Sequence, residues 1–260
     1  MLTLTAERAP DLAPPLTRYA RPTSDPTAIV VVTRRQIFTQ GDRYPIAALP
    51  SDPAGGLLSD DKRDGRDDLY VTPLGLSLAW LEARAEAGAQ KREIAVLADT
   101  KTTYRILFEV LTTAAECGYE TASVGARASS ELVAIPIAVG PPPSHGNESE
   151  RDELSVTPPA LRVALVADGI IVHVRASGAM LPTTRETIPQ IGTDYDFLAL
   201  RTLLERLKHD EAALRDEATI HLAADPSVAL EDIVSAIDAA RGDVGSLFPS
   251  VQLELRPEAP

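Results

Sequence analysis

The sequence predicts an α/β (α+β) protein of two β-β-α-β-α-β repeats. Three observations predict it. A strand–turn–helix pattern, "EIAVLADTKTTYRILFEVLTTAAECG" at 93–118, returns as "ATIHLAADPSVALEDIVSAIDAARG" at 218–242. One offset of 126 positions aligns them and sets Asp99 on Asp225. Between them lies a stretch rich in Pro, Gly and charge, residues 140–159, which has no apolar periodicity and reads as a linker. The expected organisation is a Pro-rich extended segment at 1–27, a first and more divergent domain at 28–139, the linker, and a second domain at 160–256.

The elements follow in order. "AIVVVTRRQIFTQG" reads as a strand pair around a polar turn, although "RRQ" is poor turn chemistry. A long loop, 51–68, comes next. Leu74, Leu78 and Leu81 then mark a helical face, and the offset carries them onto Leu200, Leu204 and Leu207. The short apolar run ending at Asp99 suits a buried strand. Tyr104, Leu107, Phe108, Leu111 and Ala114 mark a second helical face, aligned with Leu230, Ile233, Val234, Ile237 and Ala240. "TASVGA" or "ELVAIPIAV" closes the first half. In the second half "LRVALVADGIIVHVR" is a hairpin, because Asp168-Gly169 supplies the positive φ that tight turns demand. Residues 177–194 read as a second long loop, and "SVQLEL" closes the chain.

Charge and composition exclude some function classes. Apolar residues at 44% and charged residues at 24% are ordinary for a globular protein. A net charge of −13 argues against a nucleic-acid binder, which needs a clustered basic surface, and against docking on anionic lipid through a basic patch. The single cysteine, Cys117, permits no intrachain disulfide and sits late in a predicted helix, where a packing role is expected. The longest apolar runs are strand-sized, so no membrane segment is expected. The N-terminus lacks the basic and apolar regions of a secretory signal peptide.

No catalytic constellation emerges. His145, His173, His209 and His221 have no partner at metal-ligand spacing, and there is no phosphate-binding glycine loop or nucleophile elbow. No catalytic residue, metal or cofactor is therefore expected. Asp99 and Asp225 fit two roles. A carboxylate where a strand turns into a helix can accept backbone N–H bonds and suits the helix dipole. It also lies where open α/β sheets place ligands.

The second half resembles a known family. "TIHLAADPSVALEDIVSAIDAAR", the helix "GTDYDFLALRTLLERLK" before it and "LFPSVQLEL" after it resemble the extracytoplasmic domain of the ExbD/TolR biopolymer-transport proteins. "LADTKTTYRILFEVLTTAAECGY" resembles the same core, with Tyr104 keeping an aromatic after the Asp. The resemblance implies a dimeric α/β sandwich in the periplasm or cell envelope. Its implied partners are an ExbB/TolQ-like channel and a TonB/TolA-like protein or peptidoglycan. The family's transmembrane helix, with its one embedded carboxylate, has no counterpart in this chain, so a cytoplasmic location stays open.

Two functions follow. The first is a non-catalytic interaction protein that pairs strands at a sheet edge. Its candidate contact residues are Asp99, Tyr104, Asp225, and Gln252 and Leu253 of the closing stretch. Pro136 disfavours the other closing stretch, since proline removes a ladder donor. The alternative is a small-ligand-binding or enzymatic α/β protein that uses the strand-end Asp residues.

Overall fold

The computed structural model describes residues 12–18, 26–40, 45–49, 56–84, 92–128, 131–139, 160–175, 184–211, 214–242 and 247–255. The expected linker, His145, most of 1–27 and parts of both long loops lie outside the described residues. The chain divides into two compact units. One comprises Met1–Val139 with Pro226–Ser235, and the other Gly140–Asp225 with Ala236–Pro260. Among the described residues no helix is long and apolar enough to cross a membrane.

The first unit holds strands β1 (Ala28–Val32), β2 (Gln36–Thr39), β3 (Ala47–Ala48), β4 (Glu93–Ala98), β5 (Thr121–Ala128) and β6 (Glu131–Val139). They lie in the order β3-β2-β1-β4-β5-β6. β1, β4 and β5 are parallel, with Ala28 opposite Ile94 and Glu93 opposite Thr121, while β2 and β6 run antiparallel to their neighbours. β1 is buried along its whole length, as its unbroken apolar sequence requires. Ile29, Val31, Ala95 and Leu97 form one face, covered by Leu12, Phe38 and Leu132. The weak turn between β1 and β2 has a local remedy. The Thr33 hydroxyl oxygen accepts from the Arg35 and Gln36 N–H groups, a Ser/Thr turn in place of Asn-Gly.

Helix α1 spans Thr72–Arg84 and buries Leu74, Gly75 and Leu78, with Leu81 half-buried. Helix α2 spans Tyr104–Glu116. The hydroxyl of its N-cap, Thr103, accepts from the Ile106 N–H, and Gly118 turns the chain at φ 84°. Leu107, Phe108 and Leu111 are buried as the periodicity predicts.

The second unit holds β7 (Ala160–Val166), β8 (Gly169–Arg175), β9 (Thr184–Pro189), β10 (Thr219–Ala224) and β11 (Ser250–Leu255). Their order is β11-β10-β7-β8-β9. β7, β10 and β11 are parallel, and β8 and β9 antiparallel. β10 alternates, with Ile220, Leu222 and Ala224 buried and the residues between them half-buried, the pattern of a sheet wet on one face. Gly169 begins β8 at φ 145°, and a Cβ there would stand 2.1 Å from the Ile188 carbonyl oxygen. Helix α3 (Phe197–Asp210) is capped by Asp196, whose carboxylate accepts from the Ala199 N–H at 2.8 Å. Helix α4 spans Leu230–Arg241, its residues up to Ser235 counted with the first unit, and Ile233, Val234 and Ile237 are buried.

The mixed α/β class is as expected, but each unit carries more strands than the predicted β-β-α-β-α-β. A third strand precedes the first helix in both. β9 lies inside the stretch read as a loop, because its exposed and half-buried side chains give no apolar signal. In the first unit "TASVGARA" and "ELVAIPIAV" are both strands, and β5, not β6, takes the parallel place beside β4.

Candidate functional site

Asp99 follows β4, and its N–H donates to the Val32 carbonyl at 2.9 Å. Its carboxylate is fully buried. Oδ1 accepts from the Lys101 N–H and from Arg34 Nε, both at 3.0 Å, and Oδ2 accepts from the Ala13 N–H at 3.2 Å. Burial pushes this carboxyl up. The Lys101 N–H, Arg34 and the Ala13 N–H outweigh that and hold it below the usual carboxylate range. A low-pKa carboxylate enclosed by donors is a poor general base.

Asp225 follows β10 in the second unit, and its N–H donates to the Leu165 carbonyl at 2.9 Å. Its Oδ2 accepts from the Ala167 N–H at 2.9 Å. Both Asp side chains therefore reach backbone beyond their own strand–helix turn. That reach was not legible in their spacing.

The partner of Asp99 is the N-terminal segment. Ala13 O accepts from the Thr100 N–H at 2.9 Å, Pro15 O from the Arg127 N–H at 2.7 Å, and Arg127 O from the Thr17 N–H at 2.9 Å. Leu16 and Arg127 form a parallel bridge. Residues 13–17 thus lie against the carboxyl ends of β4 and β5, on the side of the sheet where open α/β folds hold ligands.

The other predicted contact residues are placed differently. Tyr104 is buried, its ring 6.0 Å from that of Phe108. Leu253 is buried in the second unit, and Gln252, one residue before it, is half-buried opposite His221. The Tyr104 backbone is more informative than its ring. In the first unit the Tyr104 N–H donates to Val228 O at 2.7 Å and the Leu230 N–H to Thr102 O at 2.8 Å. The Arg105 N–H donates to Pro226 O and the Glu231 N–H to Thr100 O, both at 3.1 Å. Every donor and acceptor has its counterpart 126 positions away. The pairs satisfy N–H groups that the starts of α2 and α4 leave open. Lys101 and Glu231 add an ion pair.

One charged centre escaped sequence reasoning. Glu109 is 0% exposed. Its Oε1 accepts from Lys62 Nζ and Arg105 Nε, each at 2.7 Å, and its Oε2 from the Leu57 N–H at 2.9 Å. Thr113, one turn on, accepts from the Val71 N–H at 2.9 Å. Together they clasp residues 57–71 to α2. The available signal was a carboxylate set between Phe108 and Val110 on an otherwise apolar helix. Lys62 itself is camouflaged in "SDDKRDGRDD".

Among the described residues no group of three or more His, Cys, Asp or Glu side chains is placed to hold a metal. Burial pushes the Cys117 thiol up, which suits packing more than nucleophilic attack. Val163, Ile220, Leu222, Ala236, Ile237, Ala240 and Val251 line a wholly apolar gap with no room for a water molecule. No protein-family model, curated protein or solved structure matches the chain.

Proposed function

We propose that this chain is a non-catalytic interaction protein built from two divergent units of ExbD/TolR extracytoplasmic type. The observation that carries the non-catalytic reading is the use made of the strand-end carboxylates. Asp99 is held by two backbone N–H groups and an arginine, and Asp225 reaches back to the Ala167 N–H. At the carboxyl ends of β4 and β5 the backbone of residues 13–17 is bonded to Asp99, Thr100 and Arg127. A substrate has no carboxylate to address there without displacing that segment.

The tandem reading draws support from strand order. β3-β2-β1-β4-β5 and β9-β8-β7-β10-β11 are the same sequence of neighbours with the same parallel and antiparallel senses. Asp99 and Asp225 each donate to the last paired residue of the neighbouring strand, Val32 and Leu165. The offset is 133 at those hairpin strands and 126 from the first helix onward. A longer connection in the first unit therefore accounts for its weaker likeness upstream.

By the same resemblance the partners are a second copy of the chain, an ExbB/TolQ-like channel, and a TonB/TolA-like protein or peptidoglycan, in the cell envelope. β9 has a strand neighbour on one side only among the described residues, so its other edge can receive an extended segment. The test uses the full chain and its Asp99→Asn and Asp225→Asn variants. Binding to isolated peptidoglycan and to TonB- and TolA-type polypeptides is measured by interferometry, and self-association by sedimentation. The expected result is binding within about twofold of the parent, with each variant less stable by roughly 0.5–3 kcal/mol. Loss of binding at unchanged stability, or turnover of a small molecule abolished by either change, would favour an Asp-based site instead.

A further inference from the structure

On the wet face of the second unit's sheet, five residues stand in one row across five strands. Arg185 on β9 lies opposite His173 on β8, His173 opposite Arg162 on β7, Arg162 opposite His221 on β10, and His221 opposite Gln252 on β11. The next row on that face is Thr187, Ile171, Ala164, Ala223 and Glu254. Nine of these ten positions lack a carboxylate, in a chain with a net charge of −13.

Like charges set directly opposite one another destabilise a sheet. Burial first, and then Arg185 and Arg162 on either side, hold His173 below the ordinary histidine range. Glu254 relieves one end of the row. Its Oε1 lies 2.6 Å from His221 Nδ1 and its Oε2 accepts from Arg162 at 3.0 Å. At the other end, the described residues provide no carboxylate against Arg185 or His173. The Arg162 side chain is 55% exposed and Arg185 is exposed.

The first unit treats its second face differently. Ile29 and Ala95 lie there, and the chain covers them with its own Leu12, Phe38 and Leu132. The polar face of the second unit is thus a departure in chemistry, and Glu254 identifies the anion it suits. A carboxylate already bridges His221 and Arg162 of the row, at 2.6 and 3.0 Å.

We propose that this row docks an acidic polypeptide segment, whose carboxylates lie against Arg185, His173 and Arg162 beside the place Glu254 already fills. The row spans four strand spacings, about 19 Å, which matches roughly six residues of extended peptide. The inference stands apart from the ExbD/TolR reading, since it rests on cross-strand register and charge alone.

The test measures fluorescence anisotropy of a labelled octaglutamate peptide with the full chain at low and high salt. The arginine pair is removed as Arg162→Gln with Arg185→Gln. The charge-matched control is Arg201→Gln with Arg215→Gln, on and beyond α3. Binding should weaken about tenfold or more in the first variant and less than about twofold in the control, and the salt dependence should flatten only in the first. Arg185→Gln alone, at an exposed edge-strand position, should weaken binding about threefold and guards against misfolding of the double variant. Absence of binding to the parent at low salt, equal weakening in both double variants, or binding of inorganic polyphosphate but not of the peptide would each overturn the proposal.

Discussion

Replacing Glu109 by glutamine keeps the size of the side chain and removes its charge. The consequences follow from what surrounds it. The carboxylate presents two oxygens to three donors: Lys62 Nζ, Arg105 Nε and the Leu57 N–H. An amide presents one oxygen, and its NH2 must face a donor. With the amide oxygen in the place of Oε1, Lys62, whose side chain is 1% exposed, would have only neutral acceptors, that oxygen and the Arg66 carbonyl, and the NH2 would face the Leu57 N–H. Arg105 is better placed, since its side chain is 16% exposed and can turn to water. Stranding one member of a buried ion pair costs about 3–5 kcal/mol. Glu109→Gln should therefore lose that much in urea unfolding followed by circular dichroism. Glu109→Leu combined with Lys62→Met should recover most of it, giving a coupling of about 2 kcal/mol or more in a double-mutant cycle. The 57–71 segment could instead undock locally, and exchange protection at the Leu57 and Val71 amides reports that route. The reasoning is refuted if Glu109→Gln costs under about 1 kcal/mol and both amides stay protected, or if the double variant loses the sum of the single effects.

Other predictions are simpler. Ile233, fully buried on α4, should lose roughly 2–5 kcal/mol of unfolding free energy as Ile233→Ala, and a change below about 0.5 kcal/mol would contradict its burial. Gly169→Ala should destabilise by about 1–3 kcal/mol, measured as a fall in the urea midpoint, because a Cβ at φ 145° meets the Ile188 carbonyl. The depressed Asp99 carboxyl gives stability that is complete above its unfolded pKa, about 3.9, and is lost as pH falls from there through the folded value. Asp99→Asn should accordingly be less stable than the parent at pH 6, and the gap should close on acidification below about pH 4 in matched urea titrations.

The two units differ in how openly their sequences declare them. β1 and β4 are unbroken apolar runs because both sheet faces are covered, and α2 and α4 show clean helical faces, so all four were legible. β9 was not, since an edge strand whose side chains all reach water carries no hydrophobic period. The binding of residues 12–18 was hidden for another reason. It runs through backbone groups of Ala13, Pro15 and Thr17, and backbone pairing leaves no trace in side-chain pattern. The strand-end Asp residues were conspicuous, but their acceptor roles depend on Ala13, Arg34 and Ala167, which only tertiary structure brings near. Tyr104 stands on a predicted helical face and is also a candidate contact residue; it is packed on Phe108 in the core. Lys62 shows the converse, a lysine set in the charge-rich "SDDKRDGRDD" and yet enclosed.

The reciprocal pairing of residues 100–105 with 226–231 bears on how the molecule can be dissected. A fragment ending at Val139 would omit Pro226–Ser235 and carry only part of the first unit. Its Tyr104 and Arg105 amides would lose the carbonyls of Val228 and Pro226. A fragment starting at 160 would retain 226–231 with its acceptors gone. Each segment offers donors and acceptors at the same spacing as its counterpart, so each is a rough stencil for the other. A severed fragment should therefore recruit a second copy of itself, 226–231 standing in for 100–105, and run as a dimer in sedimentation. Mixing the two fragments should dissolve such homodimers in favour of the mixed pair. Truncation would then create an oligomer by orphaning a seam, with no surface of the intact chain engaged.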